Sequence, residues 1–200
     1  PKTANLNVPH LKSDARTILY ANQDEVAQLI GKIEFKDQWI HVVKGSIWHQ
    51  WTGTYWHQDI KAGGFDTTRK GIRNAINKMW AWVNCMRQNA GLSSKDEEIL
   101  VSNADKANFA KRSKHYIADI YDLISKDDDY TIAPGAFDTH RYLIGTPIGT
   151  VDLTINKFID TDPCHYISKQ TICAPAEGEP VRWLQFLDEI FAGNQSVIDF

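Results

Sequence analysis

The sequence predicts an α+β fold: an N-terminal antiparallel β meander, a central helical bundle, then a C-terminal β-hairpin element and a terminal helix. Three observations carry this. Short β-favouring runs at residues 39–43, 46–51 and 54–57 are separated by Lys44-Gly45 and Thr52-Gly53, which read as tight turns. Ile72, Ile76, Met79, Val83 and Met86 then recur at helical spacing as one apolar stripe. The last third returns to strand-like runs and closes on Trp183, Phe186, Leu187, Ile190 and Phe191, a wide apolar helical face stopped by Gly193.

Taken in order, residues 1–22 read as a loosely structured lead-in, with Pro1 and Pro9 and no clear period, and residues 23–200 as a single domain. Asn22 or Asp24 caps a short helix that runs through Val26, Leu29 and Ile30 to Gly31 as its stop. In the meander, Ile47, His49 and Trp51 alternate to one side and Trp48 and Gln50 to the other. One face must cover the helices, so its rings suit core packing, with base stacking as the alternative. After Gly63-Gly64, Thr67 or Thr68 caps the long striped helix, which Gly91 ends. Ser93 or Ser94 caps the next, with Asp96, Glu97 and Glu98 at the positive end of its dipole. That helix ends near Arg112. Ser113 starts a third, where Ile117, Ile120, Tyr121 and Ile124 form a further stripe before Asp127-Asp128-Asp129.

Composition narrows the function. Of 200 residues, 42% are hydrophobic and 24% charged, ordinary values for a globular chain able to bury a core. No apolar run reaches bilayer length, so no membrane partner is expected. Cys85, Cys164 and Cys173 form no Cys-x-x-Cys pair and suit a reducing cytoplasm. Neither Cys164-His165 with Cys173 nor His41, His49 and His57 has the spacing of a closed tetrahedral metal site. There is no Gly-x-Ser-x-Gly elbow and no Gly-x-x-x-x-Gly-Lys-Ser/Thr phosphate loop. Catalytic, cofactor-binding and metal-binding residues are therefore not expected.

Charge is unevenly divided. Residues 1–60 balance six basic against six acidic side chains, residues 61–120 carry eleven against six, and residues 121–200 five against thirteen. A positive middle suits phosphates, and an acidic tail suits a protein neighbour; solvated faces are the plain alternative to both. The candidate phosphate ligands are Arg69, Lys70 and Arg73 in the first turns of the long helix, and Lys111, Arg112 and Lys114 around the Ser113 break. A cation at a helix N-terminus opposes the dipole, so Arg69 and Lys70 read as placed for something outside.

Several motifs occur in a characteristic order. Leu143-Ile144-Gly145-Thr146-Pro147-Ile148-Gly149-Thr150-Val151-Asp152-Leu153 precedes Asn156-Lys157, a Tyr166-Ile167-Ser168-Lys169 strand, and a helix from Trp183 ending in Glu189-Ile190-Phe191. Upstream lie the aromatic hairpin around Trp48-His49-Gln50-Trp51 and the helix break Phe109-Ala110-Lys111-Arg112-Ser113. Over roughly residues 25–200 the chain resembles the domain preceding the superfamily 3 helicase motor in phage, plasmid and poxvirus primase-helicases. The resemblance implies a non-catalytic accessory or collar-like domain, a piece of a larger replication protein acting in the host-cell cytoplasm. ATP and Mg²⁺ are expected only in the parent helicase. Implied partners are single-stranded or forked DNA, other subunits of a helicase ring, and the adjacent primase and helicase domains; a pure oligomerisation module with negligible DNA contact is the alternative. Asn156 stands where the family usually has a turn glycine and keeps φ above zero accessible. Gly145 and Ile148 stand where it commonly has asparagines.

Overall fold

The computed structural model describes residues 9–198. Helix α1 spans Pro9–Tyr20 and α2 Gln23–Ile30. The loose lead-in expected over residues 1–22 is corrected from Pro9 onward: Ala15, Ile18 and Leu19 are buried, and α1 packs chiefly against the long helix of the bundle. Those three residues sit at i, i+3 and i+4, a stripe too short to stand out as a period, and Pro9 occupies the first helical position, where its missing N–H costs nothing. Residues 1–8 lie outside the described residues. Asn22 closes a reciprocal capping box on α2: its Oδ1 accepts from Glu25 N at 3.0 Å, and its own N–H donates to Glu25 Oε2 at 3.1 Å.

Gly31 does not stop α2. The helical path continues through a π turn over Gly31–Phe35, and Gly31 has ordinary right-handed angles. Its role is space, since a Cβ there would fall 2.6 Å from the Tyr130 ring. The turn drives Phe35 into the core, with Trp39, Trp48 and Tyr130 around it.

The meander forms as expected: β1 (Trp39–Val42), β2 (Ile47–Trp51) and β3 (Trp56–Gln58) are successive antiparallel neighbours. A short parallel strand, β4 (Thr131–Ile132), adds to the far side of β1. Trp39, Trp48 and Trp56 are buried, and Trp48 stacks on Tyr121 of the bundle. Trp48 and Trp56 of the aromatic hairpin are therefore core, while Ile47, His49 and Trp51 on the other face of β2 are half-buried.

Helix α3 spans Gly63–Asn89, earlier than a Thr67 or Thr68 cap would allow. Thr68 is instead buried inside it, its Oγ1 donating to Gly64 O at 3.0 Å. Asp59 organises the start by accepting from Lys61 N and Gly64 N, each at 3.0 Å. The paired glycines let the first turn slide under Trp39 and against Tyr121. The α3 stripe points inward, with Ile72, Ile76, Met79 and Val83 buried. Ser93 caps α4 (Ser94–Lys111), and Ser113 caps α5 (Lys114–Ile124).

The second sheet is the antiparallel set β5 (Leu143–Thr146), β6 (Gly149–Asp152) and β7 (Lys157–Ile159). Asn156 turns β6 into β7 with φ of 51°. The expected Tyr166–Lys169 strand is not one. Tyr166 is left-handed, and the segment touches β5 by a single bridge, Gly145↔Gln170. That approach explains Gly145, where a Cβ would lie 2.7 Å from Lys169 O. Ile148 is simply exposed at the hairpin turn. Helix α6 (Val181–Ile190) follows; Gly193, at φ of 73°, donates to Asp188 O at 3.0 Å and ends it as expected. No α6 residue is buried, and Val181, Trp183, Phe186 and Ile190 stand open.

Candidate nucleic-acid interface

Helices α3 and α4 form a hairpin closed at its turn by an ion pair, Arg87 Nε to Glu97 Oε1 at 2.7 Å. Arg73 stands as many residues before Arg87 as Lys111 stands after Glu97. Both therefore lie at one height, about 21 Å up the hairpin by helical rise. The two basic groups of the sequence thus stand at similar height along the bundle, and α5 continues past them to meet the start of α3 at Tyr121.

They are not equally available. Arg69 and Lys70 both turn back onto Asp66 in the first turn of α3, Lys70 at 2.7 Å. Hydrogen bonds from Lys70 and then Arg69 hold the Asp66 carboxyl below its usual range. Asp66 also sits well against the positive end of the dipole. The partner sought outside for these two cations lies in their own helix. Arg73 is exposed on the next turn.

Lys111 points inward. Only 8% of it is exposed, and its Nζ donates to Tyr116 Oη at 2.9 Å and Ala21 O at 3.3 Å while lying over the Tyr116 ring. Desolvation lowers its pKa, and burial pushes the Tyr116 hydroxyl up to about 12. Lys111 therefore pins the α1–α2 corner to α4 and leaves Arg112 and Lys114 as the exposed cations of the break. Among the described residues Arg73, Arg112 and Lys114 join no ion pair.

Lys106 extends this surface. It is exposed, without an ion pair among the described residues, and lies on the wall of a groove of about 390 Å³ between the end of α1 and α4. Its spacing of three from Phe109 and six from Arg112 was the available signal, but a single lysine outside the motif carries little weight alone. Two histidines of the first sheet are packing groups, while His57 is exposed: His41 donates or accepts at Ser46 Oγ, 3.2 Å away, and His49 lies against Phe137. Desolvation lowers both pKa values. Among the described residues no three His, Cys, Asp or Glu side chains gather as a metal site, and no helix is long and apolar enough to cross a membrane.

The profile of the family described as D5 N terminal like matches residues 28–192. The chain belongs to that family. D5 N terminal like domains are a non-catalytic type found in primase-helicase proteins. The match takes in both sheets, the α3–α4–α5 bundle and all of α6. No curated protein matches the chain.

Proposed function

We propose that this domain is the accessory, collar-like part of a phage or plasmid primase-helicase, and that it binds DNA through the basic end of the α3–α4 hairpin. The observation supporting this is a set of exposed cations, Arg73, Lys106, Arg112 and Lys114, that join no ion pair among the described residues. Such groups release condensed counterions when they meet phosphates, which supplies most of the affinity. The domain itself hydrolyses nothing. The parent protein unwinds DNA with ATP and Mg²⁺ at a motor elsewhere, in the host-cell cytoplasm, with a primase region adjacent.

A salt titration tests the reading. Affinity for a labelled single-stranded oligonucleotide should fall linearly on a log–log plot against salt. Arg112→Glu should flatten the slope by about 0.7 for the lost contact. No binding in low salt would rule DNA contact out. The second reading, an assembly module, is favoured by the open apolar face of α6, which pairs Trp183 and Phe186 as stacked rings 5.4 Å apart. Light scattering separates the two: an assembly module forms oligomers without DNA and loses them on Phe186→Glu.

A further inference from the structure

Phe109 is 86% exposed, although it sits in a helix whose opposite face buries Leu100, Ala104 and Ala107. A phenylalanine left this open on a well-packed helix gives up the burial that normally justifies it. Its surroundings are cationic. Lys106 and Arg112 stand three residues to either side, the spacing that makes helical neighbours, and Lys114 follows beyond the break. Asp105, four residues before Phe109, adds one negative charge and leaves the patch positive.

A second ring lies nearby. Tyr20, at the end of α1, is 60% exposed and lines the α1–α4 groove together with Asn103, Lys106 and Ala110. On the surface of α4, Ala110 lies four residues from Lys106 and Phe109 three, so the two fall on opposite sides of that lysine. Lys106 is thus flanked by the Tyr20 groove on one side and the Phe109 ring on the other.

We propose that Phe109 and Tyr20 are base-stacking platforms on a single-stranded nucleic-acid path, with Lys106 and Arg112 taking the phosphates between and beyond them. This rests on the DNA-binding reading and specifies its ligand: a single strand, whose base faces are free to stack. In a duplex those faces are already covered, and an exposed ring on a convex helix cannot reach them. The Asn103 amide in the groove can meet a base edge.

The test compares Phe109→Ala, Phe109→Tyr and Arg112→Glu against a labelled oligo-dT and a duplex of equal length, by fluorescence anisotropy across a salt series. Because Phe109 is so exposed, Phe109→Ala should keep the parent's thermal midpoint and circular dichroism. It should lose roughly 5- to 100-fold in oligo-dT affinity with the salt slope unchanged, while Phe109→Tyr retains binding and duplex affinity does not move. Tyr20→Ala should lose affinity in the same way. If Phe109→Ala binds oligo-dT like the parent while Arg112→Glu still flattens the slope, stacking is refuted and phosphate contact survives. If the parent binds no DNA at all, both fall. If Phe109→Ala alters only the mass measured by light scattering, Phe109 belongs to a protein interface and the proposal is overturned.

Discussion

At the scale of single residues, the positions that matter most serve the backbone. Asp59 is the clearest. Burial alone would raise its pKa, but hydrogen bonds from the backbone of Gly63, Gly64 and Lys61 outweigh this and hold it below the ordinary 3.8. A carboxylate depressed in the native state binds fewer protons there than in the unfolded chain. Its contribution is complete above the unfolded value and is lost as pH falls through the native one. Urea midpoints should therefore drop below about pH 5 in the parent protein, and Asp59→Asn should drop less over that window while losing about 1 kcal/mol at neutral pH. Equal pH profiles for the two proteins would contradict this role. The caps at Asn22, Ser93 and Ser113 could be read from sequence because each bonds within three residues of itself. Gly31 could not, because the ring that forbids its side chain, Tyr130, comes from a distant part of the chain. Asp66 lay in plain sight, yet whether Arg69 and Lys70 reach outward or back onto it is decided by rotamers.

At the scale of elements, strong local periodicity was legible and short or distant pairing was not. The α3 stripe and the three-stranded meander follow from spacing and turn residues alone. Helix α1 carries one turn's worth of apolar signal, and β4 is two residues of sheet recruited by β1 across the whole bundle. The segment after Tyr166 looks like a strand by composition, but its neighbour β5 offers it only the stretch beside Gly145. Gly145→Ala makes this concrete. The new methyl meets Lys169 O and the Ile167 side chain, so the segment must lift from β5, at a cost of about 1–3 kcal/mol. Hydrogen exchange should show Thr171 N, which donates to Gly145 O, losing protection in that variant while the meander keeps its own. Uniform protection would show that the bridge holds nothing.

For the whole molecule, the basic end was legible as a charge surplus in residues 61–120, but its geometry needed the hairpin. Two groups some forty residues apart in the chain share one height only because α3 and α4 fold back on each other. The groove beside Lys106 could not be foreseen, since α1 was not expected at all. A different joint binds the two sheets. Trp56 is buried against Trp51, its N–H donates to Ile167 O at 2.8 Å, and its indole Nε1 donates to Pro163 O at 2.9 Å. Thr161 Oγ1 to Gly53 O and Thr54 Oγ1 to Gln170 Oε1 reinforce the same seam. These bonds tie the β5–β7 unit to the first sheet, and the two halves should denature in a single calorimetric transition. Trp56→Phe removes the indole bond, worth about 0.5–1.5 kcal/mol, and should broaden that transition or split it, with the C-terminal half going first. Coupling between the halves then runs through the seam that Trp56, Thr54 and Thr161 share, and a load applied to the second sheet is passed to the first through those few bonds.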